Sequence, residues 1–169
     1  IKATSSNENY NFTFVDGTLT VVKKDVTVTV DDKTIVYGAG LDTITLTYAQ
    51  ENLVASAPSG VTLEVVDFVE NSVPGTTFTI KATSSNENYN FTFVDGTLTV
   101  VKKDVTVTVD DKTIVYGEAI DTVDLTYALT GAIDGDTVVV TLEAVDYVAG
   151  AVPGTTFTIK ATSTDNRYN

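Results

Sequence analysis

Apolar and polar residues alternate with a period of two along most of this chain, the pattern that predicts β-strands with one buried and one solvent-facing side. In DVTVTVDD, Val26, Val28 and Val30 face one way and the threonines between them face the other. The segments DTITLTY (42–48) and TTFTIKAT (76–83) alternate in the same manner. Threonine keeps strand propensity high on the wet side, and no stretch shows a stripe with helical period. We therefore predict an all-β chain with essentially no helix.

Turn residues separate the predicted strands. Asp16-Gly17 and its repeat Asp95-Gly96 lie between alternating apolar runs, which favours a hairpin, with a bulge inside one long strand as the alternative. Pro74-Gly75 and Pro153-Gly154 precede the two FTIKAT segments and predict a tight turn before each of these strands.

The sequence also repeats itself. Residues 1–38 return letter for letter as residues 80–117, an offset of 79, and a partial third copy, IKATSTDNRYN, begins at Ile159. A fixed period of this size indicates a tandem array of modules. Lys-Lys-Asp at 23–25 and 102–104 marks the natural joints. We predict that residues 1–23 are the C-terminal strands of a preceding repeat, 24–102 a complete module, and 103–169 a second module lacking its last strands.

The segment that the trailing module lacks is FTFVDGTLTVVK, and residues 12–23 carry the same twelve letters at the opposite end of the chain. Three explanations stay open. The chain is clipped or disordered beyond Asn169; the folding unit is permuted, as 12–90 and 91–169; or the leading segment of one copy completes the trailing module of another, which would link copies head to tail.

The two modules differ most in one loop, QENLVASAPSG at 50–60 against LTGAIDGDTVV at 129–139. Variable loops on a constant scaffold are places where binding differences reside, although an unconstrained loop is the simpler interpretation. We expect this loop to lie away from the identical block, which straddles the joint.

Composition narrows the possible functions. The chain has a net charge of −13 and contains no cysteine, histidine, methionine or tryptophan. These absences exclude a Ser-His-Asp hydrolase, a thiol nucleophile and a disulfide framework, so we do not expect an enzyme. The acidic surface disfavours nucleic acid as a partner, and no apolar run is long enough for membrane insertion of this segment.

Candidate binding residues are few. Asp134 and Asp136 in AIDGDTV offer two carboxylates to Ca²⁺, but an acidic glycine turn is the simpler interpretation, so no metal site is assigned and no other cofactor is expected. The ligand-binding residues are unknown. The aromatic residues of the strands fall on the apolar side and are expected in the core rather than on sugars.

The order of several short motifs resembles the MBG domain of YGX type. The marks in the second module are Tyr116-Gly117, the LTY of 125–127, Thr130-Gly131, the GDT of 135–137, and the GTTF of 154–157. The first module keeps Tyr37-Gly38 and the LTY of 46–48 but lacks the TG and GDT elements. The resemblance implies a tandem-repeat protein exported to the bacterial cell surface, in the manner of adhesins.

The sequence thus predicts tandem antiparallel β-sandwich modules, immunoglobulin-like, with a 79-residue repeat. The expected function is a structural stalk or spacer in an extracellular bacterial cell-surface adhesin, which projects a binding tip and mediates attachment. The alternatives are a self-assembling extracellular filament subunit that uses strand complementation, or a mucin- or glycan-binding repeat. The expected partners are neighbouring repeats of the same chain, other copies joined head to tail, or host mucin or glycan.

Overall fold

The computed structural model of the protein describes residues 1–55 and 57–169. Ser56, inside the variable loop of the first module, lies outside the described residues. In chain order the strands are β1 Lys24–Val30, β2 Lys33–Val36, β3 Tyr48–Glu51, β4 Val61–Val65, β5 Thr77–Ser84, β6 Tyr89–Val94, β7 Gly96–Val101, β8 Thr106–Val109, β9 Tyr127–Thr130, β10 Val140–Val145 and β11 Thr158–Ser163. The helical content of the described part is two short 3-10 turns, Leu41–Thr43 and Ile120–Thr122.

The first module is a sandwich of two sheets. One sheet has the strand order β3-β1-β6 and the other β2-β7-β5-β4. The all-β, sandwich-like prediction is confirmed. The pairing is antiparallel in most ladders, but β1 runs parallel to β6 and β2 runs parallel to β7.

The two parallel ladders form one continuous feature. Lys24 pairs with Tyr89 in the first sheet and Lys33 pairs with Leu98 in the second. The register of the two paired segments is therefore unchanged where they cross from one sheet to the other. Asp32 holds this crossing, because its Oδ1 accepts the Thr97 N–H at 2.7 Å. We call the paired segments 24–36 and 89–101 the double strand.

The double strand overturns the hairpin prediction at Asp95-Gly96. β6 and β7 belong to different sheets and do not pair, so the turn residues mark a corner inside one long path. Glycine is needed there because a Cβ on Gly96 would lie 2.8 Å from the Asp31 carbonyl oxygen and 2.9 Å from Val30 Cγ1.

The core of the first module lies between its two sheets. The alternating residues predicted to point inward do so, since Val26, Val28, Val30 and Ile80 are buried, and Leu98 of β7 is buried with them. The strand predicted over 42–48 is wrong for most of that range, because a 3-10 turn occupies Leu41–Thr43, residues 44–47 are irregular, and β3 begins at Tyr48. The turn at Pro74-Gly75 is confirmed, with Gly75 at φ +92° just before β5.

The second module contains fewer paired strands. Among the described residues, β8 forms a ladder with β9 and β10 forms one with β11. The segment Lys112–Val115 has the same sequence as β2, yet it lies outside the assigned strands. Strand structure in this segment therefore depends on the neighbour that β7 provides in the first module.

Residues 1–23 precede the first module and are exposed throughout. Their aromatic side chains keep the arrangement of β6: Phe12 and Phe14 stack with ring centroids 5.7 Å apart, against 5.5 Å for Phe91 and Phe93. Ile1 and Gly17 exchange backbone hydrogen bonds of 2.6 and 3.1 Å, which reproduces the pairing of β5 with β7 in the module. We call this part the leading segment.

Candidate functional site at the joint between modules

The joint forms where the double strand ends. Because β2 and β7 are parallel, both end at the same edge, and the chain leaves that edge through Lys102 and Lys103 into the second module. Tyr37 follows β2 directly, and its N–H donates to the Val101 carbonyl at 2.8 Å. This places the Tyr37-Gly38 pair beside the linker.

A cluster of side chains from both modules surrounds Tyr37. Its hydroxyl donates to Asp136 Oδ2 at 3.1 Å, and the Tyr168 hydroxyl donates to the same oxygen. The Tyr168 hydroxyl also accepts the Ile133 N–H at 3.2 Å. Both tyrosines are buried. The carboxylate of Asp136 thus connects Tyr37, the first residue of the YG turn, with the second module.

Arg167 completes this cluster. Its Nη1 lies 2.9 Å from Asp136 Oδ2, and its Nη2 lies 2.7 Å from Asp165 Oδ2. The guanidinium stands over the rings of Tyr37 and Tyr168, at 5.9 and 5.5 Å from their centroids. A planar guanidinium suits this position because it combines paired hydrogen bonds with stacking on aromatic rings. We call Tyr37, Asp136, Asp165, Arg167 and Tyr168 the joint cluster.

The contacts within the joint cluster shift the pKa values of its members. The hydrogen bond from Tyr168, followed by those from Tyr37 and the charge of Arg167, lowers the pKa of Asp136. Hydrogen bonds from Arg167 lower the pKa of Asp165. Burial, with a smaller contribution from Asp136, raises the pKa of Tyr168. At neutral pH Asp136 and Asp165 are therefore carboxylates, and Tyr168 is a neutral phenol beside the Arg167 guanidinium.

Apolar packing accompanies these polar contacts. Gly38 has φ +78°, and a Cβ at this position would lie 1.9 Å from Ile133 Cδ1. Ala132, Ile133 and Val138 are partly buried against the core that the first module builds. The loop 131–138 thus rests on the YG turn, and glycine at position 38 allows the close approach.

The joint is also fastened by the backbone. The Lys103 N–H donates to the Arg167 carbonyl at 3.2 Å, and the Asn169 N–H donates to the Lys103 carbonyl at 3.0 Å. Asn169 Nδ2 donates to Asp104 Oδ1 at 2.8 Å, as Asn90 does to Asp25 at 3.0 Å in the first module. The linker is therefore part of a ladder rather than a free tether.

The second YG turn provides an internal comparison. Tyr37 is 5% exposed at the joint, whereas Tyr116 at the same place in the next repeat is 67% exposed. A Cβ on Gly117 would meet no described atom within 4 Å. The side-chain hydrogen bonds of Tyr37 and the closest neighbour of Gly38 therefore come from the following module.

The structure places the two candidate Ca²⁺ ligands and the variable loop of the second module at the joint. Asp136, a candidate Ca²⁺ ligand, accepts hydrogen bonds and an ion pair from protein groups, while Asp134 is exposed nearby. No group of three or more histidine, cysteine or acidic residues in the described part is arranged to hold a metal ion. The expectation that the variable loop lies away from the link is wrong, because residues 131–138 form half of the joint.

Sequence reasoning did not single out Arg167. The signal was present, since the first module has Asn88 at the position of Arg167 and Ala57 at the position of Asp136. Both members of the ion pair are thus specific to the second module. A paired difference of this kind between repeats indicates contact.

Comparison with known protein families identifies the first module. Residues 26–99 match the family model described as MBG domain (YGX type), which confirms the resemblance for this part of the chain. Searches of curated proteins and of solved structures give no significant match. In the described residues, no helix is long and apolar enough to cross a bilayer.

Proposed function

We propose that this chain is a stiff spacer in an extracellular adhesin. Residues 26–99 match the MBG domain of YGX type, a repeat domain of bacterial surface proteins. The spacer holds a binding tip away from the cell and so supports attachment. The observation that carries the proposal is the joint cluster, in which the YG turn of one module is buried by the next.

Stiffness follows from the kinds of contact at the joint. The linker is hydrogen-bonded to residues 167–169, the loop 131–138 covers Gly38, and a charged cluster fixes the rotation between modules. A flexible linker would leave both modules free to turn independently. Repeated joints of this type add length in steps of one module, as expected of a quasi-one-dimensional array.

The test is whether the two modules of the 169-residue chain tumble together. We expect ¹⁵N relaxation to give the same rotational correlation time for residues of both modules, appropriate to an 18.0 kDa elongated particle. Residual dipolar couplings from both modules should fit one alignment tensor. Two shorter, unequal correlation times would contradict the spacer proposal.

The mucin- or glycan-binding alternative receives less support from this geometry. The variable loop of the second module is engaged in the joint through Ala132, Ile133 and Val138, which removes much of its apolar surface from possible ligands. Titration of the labelled chain with mucin glycans gives a direct test. Saturable shifts confined to loop residues would favour binding over spacing.

A further inference from the structure

The variable loop has the same backbone turn in both modules, although its side chains differ. In the second module the Asp136 N–H donates to the Ile133 carbonyl at 3.0 Å. In the first module the Ala57 N–H donates to the Val54 carbonyl at 3.1 Å, and these residues occupy the same two positions of the repeat. Ile133 covers Gly38 through its Cδ1, an atom that valine lacks. The turn is therefore constant, and what it presents to another module changes.

A second contact of the loop is kept in both modules, but with a different donor. Asn86 Nδ2 donates to the Pro58 carbonyl at 2.8 Å in the first module. Thr137 takes the place of Pro58 in the second module, and its carbonyl accepts from Arg167 Nη2 at 3.0 Å. Asp165 takes the place of Asn86 and accepts from the same nitrogen at 2.7 Å. The first module thus fastens its loop with a neutral amide, and the second with an arginine that an aspartate orients.

The arginine also reaches the neighbouring module. Its Nη1 lies 2.9 Å from Asp136 Oδ2, and its guanidinium stands 5.9 Å from the centroid of the Tyr37 ring. Asn88 has the position of Arg167 in the first module, and its shorter, uncharged side chain supplies neither the ion pair nor the stacking. Ala57 has the position of Asp136 and offers no side-chain acceptor to a tyrosine hydroxyl. The first module therefore lacks the groups that fasten the joint.

The turn that receives the loop is the same in both modules. The Tyr-Gly pairs at 37–38 and 116–117 are identical, and Gly38 and Gly117 share a positive φ of +78° and +88°. Each module thus offers the same acceptor to the module that follows it. The difference between a docked and an undocked pair then depends on the loop face of the following module.

We propose that four side chains, which we call the docking set, decide whether a module is locked onto the YG turn of the module before it. The set consists of Ile133, Asp136, Asp165 and Arg167, and its counterparts in the first module are Val54, Ala57, Asn86 and Asn88. A module with the docking set forms a stiff joint, whereas a module with the counterparts keeps its loop folded and follows a hinge. The order of the two kinds of module then sets where an array bends. This inference deepens the spacer proposal and rests on it.

The experiment exchanges the loop face within the 169-residue chain. In the exchange variant, residues 129–139 become QENLVASAPSG and residues 165–167 become NEN, the sequences of 50–60 and 86–88. The exchanged segments bring their own amide-to-carbonyl contact, so we expect the second module to stay folded, with well-dispersed amide signals. We expect ¹⁵N relaxation to give two separate, shorter correlation times, as for modules on a flexible linker. One common correlation time for the exchange variant would overturn the proposal.

A restored variant tests whether the four side chains are sufficient. It carries the exchanged segments but retains Ile133, Asp136, Asp165 and Arg167. We expect its two modules to tumble together again and its residual dipolar couplings to fit one alignment tensor. Independent tumbling of the restored variant would show that other residues of the loop make the joint, against the proposal.

The matched control exchanges a segment that also differs between modules but lies outside the joint cluster and the loop. Residues 144–152 are replaced by VVDFVENSV, the sequence of 65–73, and common tumbling should persist. Its loss would contradict the assignment to the docking set. The parent chain separates the two proposals: independent tumbling of the parent would overturn the spacer, whereas a stiff parent with a stiff exchange variant would overturn the docking set alone.

Discussion

Tyr37 and Tyr168, which belong to different modules, pack edge to face with ring centroids 5.7 Å apart and an interplanar angle of 89°. Both hydroxyls donate to one oxygen of Asp136. The arrangement combines an apolar contact between rings with charge-assisted hydrogen bonds. It fixes both the distance and the rotation between the two modules.

Replacement of Tyr37 by alanine should destabilise the chain by about 3 kcal/mol, because it removes a buried aromatic ring and leaves Asp136 without one of its donors. The exposed Tyr116 is the matched control, and Tyr116→Ala should change stability by no more than about 0.5 kcal/mol. Urea denaturation of both variants measures the difference. Equal costs would show that Tyr37 acts within its own module.

Gly38→Ala and Gly117→Ala separate backbone strain from contact between modules. Both glycines have positive φ, +78° and +88°, so each change costs about 1 kcal/mol of local strain. Only the new Cβ at position 38 also collides with Ile133. We therefore expect a larger loss of folding stability for Gly38→Ala, together with altered residual dipolar couplings that report the orientation between modules. Ile133→Ala should relieve this additional loss in the Gly38→Ala background, as a double-mutant cycle detects.

Acid should weaken the joint before it unfolds the modules. The pKa of Asp136 is lowered in the folded chain, so the contribution of this group is present above its unfolded pKa of about 4 and disappears as the pH falls through the folded value. We expect independent tumbling of the modules in that acidic range by ¹⁵N relaxation. In the Asp136→Asn variant the two modules should tumble largely independently already at neutral pH, and their correlation times should change little on acidification.

The paired differences between repeats predict a compensating double variant. Asp136→Ala alone leaves Arg167 with one carboxylate, and Arg167→Asn alone leaves Asp136 without its cation, so both should loosen the joint. The double variant reproduces Ala57 and Asn88 of the first module. We expect the double variant to lose less thermal stability than the sum of the losses of the two single variants, as measured by thermal denaturation.

The strands could be predicted because alternation reports which side of a strand is buried. The alternation of Val26, Val28 and Val30 gave the correct face without any knowledge of the neighbours. The corner at Asp95-Gly96 could not be predicted, because the same dipeptide serves a hairpin turn and a change of sheet. The choice depends on the parallel partner, 65 residues away, which local sequence does not specify.

The joint was only partly predictable. Family resemblance drew attention to Tyr37 and Gly38 as motif residues, but their contacts are made by a loop almost one hundred residues later in the chain. The loop was interpreted as free because it varies between repeats. Its variation instead accompanies that of Arg167, and a comparison of repeat positions in pairs would have pointed to the ion pair.

The double strand has a mechanical consequence. The chain enters the first module at Lys24 and leaves it at Val101, and these ends belong to neighbouring strand paths that run in the same direction. Tension between the two ends therefore pulls the paths past each other along their length. In that loading direction the ladder hydrogen bonds resist together instead of opening one after another, so we expect each module to withstand a pull along the array better than a pull across it.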